Sequence, residues 1–179
     1  FRKIEGISLY LRLFEKLIDF KVYVDTDSEE IIENLTKKYK NVTAYKRDRS
    51  LEGDKTSVCD LIDNFIKKFK IKDRWICQVH VTSPFLSEET LNLVEILTKK
   101  DYNSITSCNE VQTRLWRKES YGFCPVNHNP TKLEQTQDLP VFYEENSLFY
   151  AFKSSVFKKT KTRIGSKPYF IKTRFPENL

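Results

Sequence analysis

Apolar positions alternate between two periods along the chain, and the elements follow from that alternation. From Ile7 to Ile18 the residues Leu9, Leu11, Leu13, Phe14, Leu17 and Ile18 recur at three- and four-residue spacing, which predicts an amphipathic helix. Phe20-Lys21-Val22-Tyr23-Val24 then reads as a strand that runs into the turn-formers Asp25-Thr26-Asp27-Ser28. Asp27 or Ser28 can cap the next helix, with Glu29 and Glu30 at its positive end and Ile31, Ile32, Leu35 and Tyr39 as its buried stripe. Val42 to Tyr45 predicts a short strand, and Asp54 to Phe69 a helix through Val58, Leu61, Ile62, Phe65 and Ile66.

Trp75 to Val81 is apolar enough for a central strand covered on both faces. Ser87-Glu88-Glu89-Thr90 opens a helix in the manner of a capping box, with Leu91, Val94, Ile96 and Leu97 following, and Ser104 to Cys108 is the next strand. Strand and helix exchange at βαβ spacing from residue 7 to about residue 108, which predicts an α/β protein with a mostly parallel sheet wrapped by helices. Between Glu110 and Tyr143 the pattern breaks into polar, aromatic and turn-forming residues, too long a run for a plain loop. A hairpin arm is expected there. Carrying Trp116, Tyr121 and Phe123, such an arm exposes much apolar surface alone, which predicts a homodimer. Ser147 to Phe152 reads as a strand, Ser154 to Lys159 as a short helix, and Tyr169-Phe170-Ile171 as a last strand.

The length of 179 residues suits one domain spanning 1–179. Hydrophobic residues at 39% exclude a disordered or fibrous chain, and no apolar run approaches the ~20 residues of a membrane helix. Lys+Arg 31 against Asp+Glu 25 leaves +6, which tolerates an anionic ligand without naming one. The basic runs Lys67-Lys68-Phe69-Lys70 and Lys158-Lys159-Thr160-Lys161 each follow an apolar helical stretch and read as solvated faces. Neither nucleic acid nor membrane is an expected partner. Cys59, Cys77, Cys108 and Cys124 are scattered, with no C-x-x-C and no clustering with the histidines, which argues against zinc and for a reducing, cytoplasmic setting. Cys77 and Cys108 lie in strand-like runs and read as core residues.

Three segments could carry chemistry, each with a plainer alternative. His80-Val81-Thr82-Ser83-Pro84-Phe85 ends a strand in hydroxyl residues, where ligands of open α/β sheets lie; it could equally be a strand-to-helix turn with satisfied hydroxyls. Lys46-Arg47-Asp48-Arg49 ends another strand, and its guanidinium groups could fork onto a phosphate or a base carbonyl, or pair locally with Asp. Asp25 and Asp27 could ligate a metal or cap a helix. Gly6, Gly53, Gly122 and Gly165 stand alone, so there is no Gly-rich phosphate loop.

An ordered set of motifs resembles the CMP-sialic acid synthetases, the acylneuraminate cytidylyltransferase family. The matching stretches are Phe1-Arg2-Lys3-Ile4-Glu5-Gly6-Ile7-Ser8-Leu9, Val22-Tyr23-Val24-Asp25-Thr26-Asp27, and Lys46-Arg47 with Leu51 and Asp54-Lys55-Thr56-Ser57. They continue through His80 to Phe85, Gln137-Asp138-Leu139-Pro140 and Glu145-Asn146-Ser147-Leu148-Phe149-Tyr150. The resemblance implies a three-layer nucleotidyltransferase fold of the nucleotide-diphospho-sugar transferase type, with a dimerisation arm at about 110–143 and a first strand before Phe1. It implies transfer of CMP from CTP to an acidic sugar such as a sialic acid, with release of pyrophosphate and help from magnesium. Arg47, His80, Thr82 and Ser83 would then bind nucleotide, and Gln137 and Asn146 would lie on the sugar side.

Alternatives are a cytidylyltransferase for legionaminate, pseudaminate or octulosonate, or a non-catalytic basic binding domain. The family's Ala-Arg-x-Gly-Ser-Lys-type loop would precede Phe1 and its Asp-x-Asp, which holds the metal, would follow Leu179. The stretch by itself is therefore expected to be inactive or nearly so, with magnesium ligands outside it. Ser147 stands where the family carries glycine.

Overall fold

The computed structural model describes residues 2–178. The first strand expected before Phe1 lies outside them. The chain opens with a small hairpin, β1 (Lys3–Ile4) and β2 (Ile7–Ser8), turned by Glu5 and Gly6 at φ 50° and 79°. Two positive φ values in a two-residue loop match the right-handed twist of the flanking strands. Helix α1 (Leu9–Glu15) therefore starts two residues later than the spacing from Ile7 predicts. Then come β3 (Val22–Thr26), α2 (Glu29–Lys38), β4 (Val42–Lys46), α3 (Val58–Lys68), β5 (Trp75–Val79) and α4 (Glu88–Thr98). The remainder is β6 (Ser104–Val111), β7 (Trp116–Glu119), β8 (Gly122–Pro125), β9 (Phe142–Lys153), α5 (Ser154–Thr160) and β10 (Pro168–Lys172).

Serine side chains start α2, α3 and α4. Ser28 Oγ accepts from the Ile31 amide, and Ser87 Oγ from that of Thr90 at 3.1 Å. Ser57 makes a reciprocal capping box with Asp60, which starts α3 at Val58 rather than at Asp54.

The β3–β4 pair is parallel, and a four-stranded sheet runs in the order β10-β6-β9-β5. In the larger sheet β10, β6 and β5 share one direction while β9 runs antiparallel to both neighbours. Strand β9 explains the layering. Phe149 and Ala151 point into a core shared with Leu91, Val94 and Leu97 of α4, whereas Tyr150 and Phe152 point into one shared with Ile62 and Ile66 of α3 and Phe157 of α5. Helices thus cover both faces, giving three layers. Phe149 and Phe152 are fully buried, each contributing roughly 1.5–3 kcal/mol. Leu13 and Leu17, from α1 and the turn after it, join the first of these cores, while Tyr10 and Phe14 of α1 pack on Leu35, Tyr39 and Val42 beside β3–β4, so this segment spans both sheets.

Two expectations are corrected. β5 is paired only with β9 among the described residues, so it is an edge rather than a central strand, and Cys77 on it is exposed; Cys108 is buried as expected. The excursion is present as the β7–β8 hairpin with its flanking loops. No helix among the described residues is long and apolar enough to cross a membrane.

Candidate nucleotide and sugar site

Past the carboxyl end of β5 the chain turns tightly: the Ser83 amide donates to the His80 carbonyl at 3.0 Å and the Leu86 amide to that of Ser83 at 3.3 Å. Ser83, Pro84 and Leu86 are buried, anchoring the turn. Lys16 Nζ clamps it from α1 by donating to the Pro84 carbonyl at 2.9 Å, and burial pulls the pKa of this lysine below its usual value.

The facing wall comes from β9 at an irregularity. The β6–β9 register shifts between Thr106 and Cys108, and Ser107 Oγ fills the break by accepting from the Leu148 amide at 3.1 Å. Ser147 there sits at φ 60°, the left-handed region that favours glycine. Asn146 Nδ2 donates to Thr173 Oγ1 at 2.7 Å and to Asn109 Oδ1 at 3.0 Å, while its buried Oδ1 has no partner among the described residues.

His80, Thr82, Ser83, Asn146, Ser147 and Leu148 line an open cavity of roughly 370 Å³. Beside the apolar Leu148, the side chains lining it are hydroxyl, amide and imidazole, with no Lys, Arg, Asp or Glu among them. His80 Nε2 lies 2.9 Å from Gln78 Nε2, and Gln78 Oε1 accepts from Arg163 at 2.8 Å. Burial first, and the Arg163 charge second, hold the His80 pKa below its ordinary value.

Four of the six residues expected from sequence therefore share one cavity. The other two lie apart from its lining. Arg47, at the end of β4, donates from Nε to Asp25 Oδ1 at 2.8 Å and from Nη2 to the Asp25 carbonyl at 3.2 Å. Gln137 lies exposed in a 3-10 turn of the arm, where its carbonyl accepts from Gln112 Nε2 at 2.9 Å. Ser147 and Leu148 were not singled out as binding residues, nor were Gln78 and Arg163. Gln78 is two residues from His80 and so shares its strand face, a signal that was present; nothing local marks Arg163.

Among the described residues no three His, Cys, Asp or Glu side chains gather to hold a metal ion. Asp25 is occupied by Arg47 and by the Tyr45 hydroxyl at 3.2 Å.

Residues 1–172 match the family described as Cytidylyltransferase. The chain belongs to the cytidylyltransferase family. It is 31% identical over 154 residues to N-acylneuraminate cytidylyltransferase A of Danio rerio, across 83% of this chain and 35% of that protein. It is 26% identical over 162 residues to a Helicobacter pylori protein named as pseudaminic acid cytidylyltransferase and UDP-2,4-diacetamido-2,4,6-trideoxy-beta-L-altropyranose hydrolase, across 87% and 30%. The chain spans about a third of the length of these curated relatives.

The solved structure of 4-diphosphocytidyl-2C-methyl-D-erythritol synthase from Anaerococcus prevotii superimposes with TM-score 0.65 at 13% identity, over 98% of this chain and 84% of that one. A CMP:2-keto-3-deoxy-manno-octonic acid synthetase solved with CTP gives 0.62 at 12%, over the same shares. These likenesses establish the nucleotidyltransferase fold.

Proposed function

We propose that this chain forms part of a cytidylyltransferase that moves CMP from CTP onto an acidic sugar of the sialic-acid class. The observation that carries the reading is the family match over residues 1–172, joined to 31% identity with an N-acylneuraminate enzyme. The cavity's chemistry supports it. Hydroxyls, an amide and an imidazole without formal charge suit a polyhydroxylated ligand.

In this reading the sugar's anomeric hydroxyl attacks the α-phosphorus of CTP. The new O–P bond forms as the bond to the pyrophosphate oxygen breaks, so positioning supplies much of the catalysis. Thr82, Ser83 and His80 would orient the nucleotide near the sugar, and Asn146 would orient the sugar. Arg47 would reach the base or triphosphate through Nη1, the guanidinium nitrogen that Asp25 leaves free. Gln137 would approach the sugar from the arm. Magnesium would be needed to neutralise charge, from ligands other than those described. Pairing of two chains through the arm and a cytoplasmic setting complete the proposal.

Pyrophosphate release by the full-length protein, with CTP, magnesium and a panel of acidic sugars, tests it. Turnover with N-acylneuraminate is expected. Turnover confined to pseudaminate would favour the second reading, which the 26% identical relative supports. No turnover with any sugar, alongside salt-sensitive binding to DNA or RNA, would overturn both.

A further inference from the structure

Arg163, from the loop after α5, lies over the Tyr150 ring with its guanidinium carbon 3.7 Å from the ring centre. Stacking of this kind holds a guanidinium by its face and leaves its edge donors free. One of them, Nη1, donates to Gln78 Oε1 at 2.8 Å. Arginine carries no acceptor, so the atom of Gln78 facing it has to be the carbonyl oxygen. That settles which way the amide points: its NH₂ group faces His80 Nε2 at 2.9 Å. An NH₂ group only donates, so Nε2 must accept.

We infer that Arg163 and Gln78 are positioning residues that lock His80 as the neutral Nδ1–H tautomer, leaving one ring donor, Nδ1–H, for a ligand in the cavity. His80 lines that cavity, and among the described residues its Nδ1 has no hydrogen-bond partner. The site therefore offers an uncharged donor suited to a carbonyl, hydroxyl or carboxylate oxygen.

The surrounding charges agree. Arg163 pairs with no carboxylate among the described residues and is the charged group acting on the ring; with half-burial, it disfavours the imidazolium. The Glu145 carboxylate, on β9, is engaged by the Tyr150 hydroxyl, which donates to it at 2.9 Å. The inference rests on the cytidylyltransferase reading only for what the donor meets; the state of the ring does not depend on it.

The test is ¹⁵N NMR of the imidazole nitrogens in the protein without ligand, with His80 told from His128 through His128→Asn. The expected spectrum has His80 Nε2 as the unprotonated, pyridine-type nitrogen and Nδ1 as the protonated, pyrrole-type one. In Gln78→Glu a carboxylate oxygen replaces the NH₂ group, so Nε2 is expected to move to the protonated, pyrrole-type position. A wild-type ring protonated on Nε2, or an equal mixture of tautomers, would overturn the inference, as would a folded Gln78→Glu whose Nε2 stays unprotonated. If Gln78→Glu does not fold, the wild-type spectrum still decides. Failure to turn over any sugar would leave this result untouched, which separates the two claims.

Discussion

Asp25 and Arg47 tie together the ends of neighbouring parallel strands. Asp25 on β3 accepts from Arg47 just past β4, through both a carboxylate oxygen and its own carbonyl, and Tyr45 donates to the other carboxylate oxygen. Burial, then the Asp25 charge, pushes the Tyr45 hydroxyl far above its ordinary pKa, so it serves as a donor throughout the working range. Both charged side chains are mostly shielded, at 26% and 17% exposed. Lysine at 47 would keep the charge but lose the fork that reaches two acceptors. Arg47→Lys is expected to cost about 1–2 kcal/mol, measured as a lower urea midpoint at unchanged slope. An unchanged midpoint would mean that the pair is solvated and contributes nothing.

Ser147 gives the second prediction. At φ 60° a residue with a β-carbon carries strain of about 1–2 kcal/mol, partly offset here by the 3.1 Å contact of its Oγ with the Tyr150 hydroxyl. Glycine relieves the strain but frees the unfolded chain by about 0.4–1 kcal/mol. Ser147→Gly is therefore expected to gain at most about 1 kcal/mol, whereas the branched Ser147→Val loses at least that much. Thermal melts of the three proteins give the order directly. A Val variant as stable as wild type would show that position 147 is not held in this conformation.

These two sites also mark what was legible in the sequence. Helix starts at Ser28 and Ser87 could be read because a capping serine precedes a periodic stripe. The hairpin turned by Glu5 and Gly6 was missed because the apolar spacing from Ile7 continues smoothly into α1; Gly6 was the available signal. No local pattern distinguishes β9 as antiparallel, and an edge strand such as β5 is as apolar as a central one when helices cover its faces. In the site, His80 to Ser83 stood out because they end a strand, and Asn146 through resemblance. Arg163 reaches Gln78 across 85 positions of sequence, a distance that periodicity does not encode. Ser147 in place of glycine was noticed but gained its meaning only from the backbone angle.

The arm carries the third prediction. Tyr121, Phe123 and Leu133 are 80%, 69% and 95% exposed, more apolar surface than a short hairpin leaves in water without a partner. The protein is expected to sediment as a dimer at micromolar concentrations, and the double change Phe123→Asp and Leu133→Asp to shift it to monomer without altering its circular dichroism. A wild-type monomer over that range would remove the pairing.

His80 predicts a pH dependence of stability. Burial and Arg163 lower its pKa in the folded protein below the 6.5 of a free imidazole. As pH falls below about 6.5, the unfolded chain takes up this proton before the folded one does, so unfolding gains. The contribution is thus fully present above about 6.5 and is lost as pH falls toward the folded value. His80→Gln is expected to lose less stability than wild type between about pH 7.5 and 5.5, read from urea midpoints at each pH. Parallel losses in the two proteins would show that His80 titrates alike folded and unfolded.

The last prediction concerns nucleotide affinity. A triphosphate needs cations, and none of the residues lining the cavity is Lys or Arg. Lys16, which approaches the turn after β5, spends a donor on the Pro84 carbonyl, and Arg47 is forked onto Asp25. No three His, Cys, Asp or Glu side chains among the described residues gather to hold a metal before the nucleotide arrives. Charge-assisted hydrogen bonds contribute about 1.5–3 kcal/mol each, so lacking several of them costs orders of magnitude in affinity. Calorimetry of residues 1–179 with CTP and magnesium is expected to give a Kd no tighter than about 1 mM, with no pyrophosphate released on adding sugar. The base and sugar contacts would remain, so cytidine and N-acylneuraminate are expected to bind about as weakly as CTP. Micromolar CTP binding would overturn this, and Asp25 or Asp27 would then be the first candidates to hold the metal.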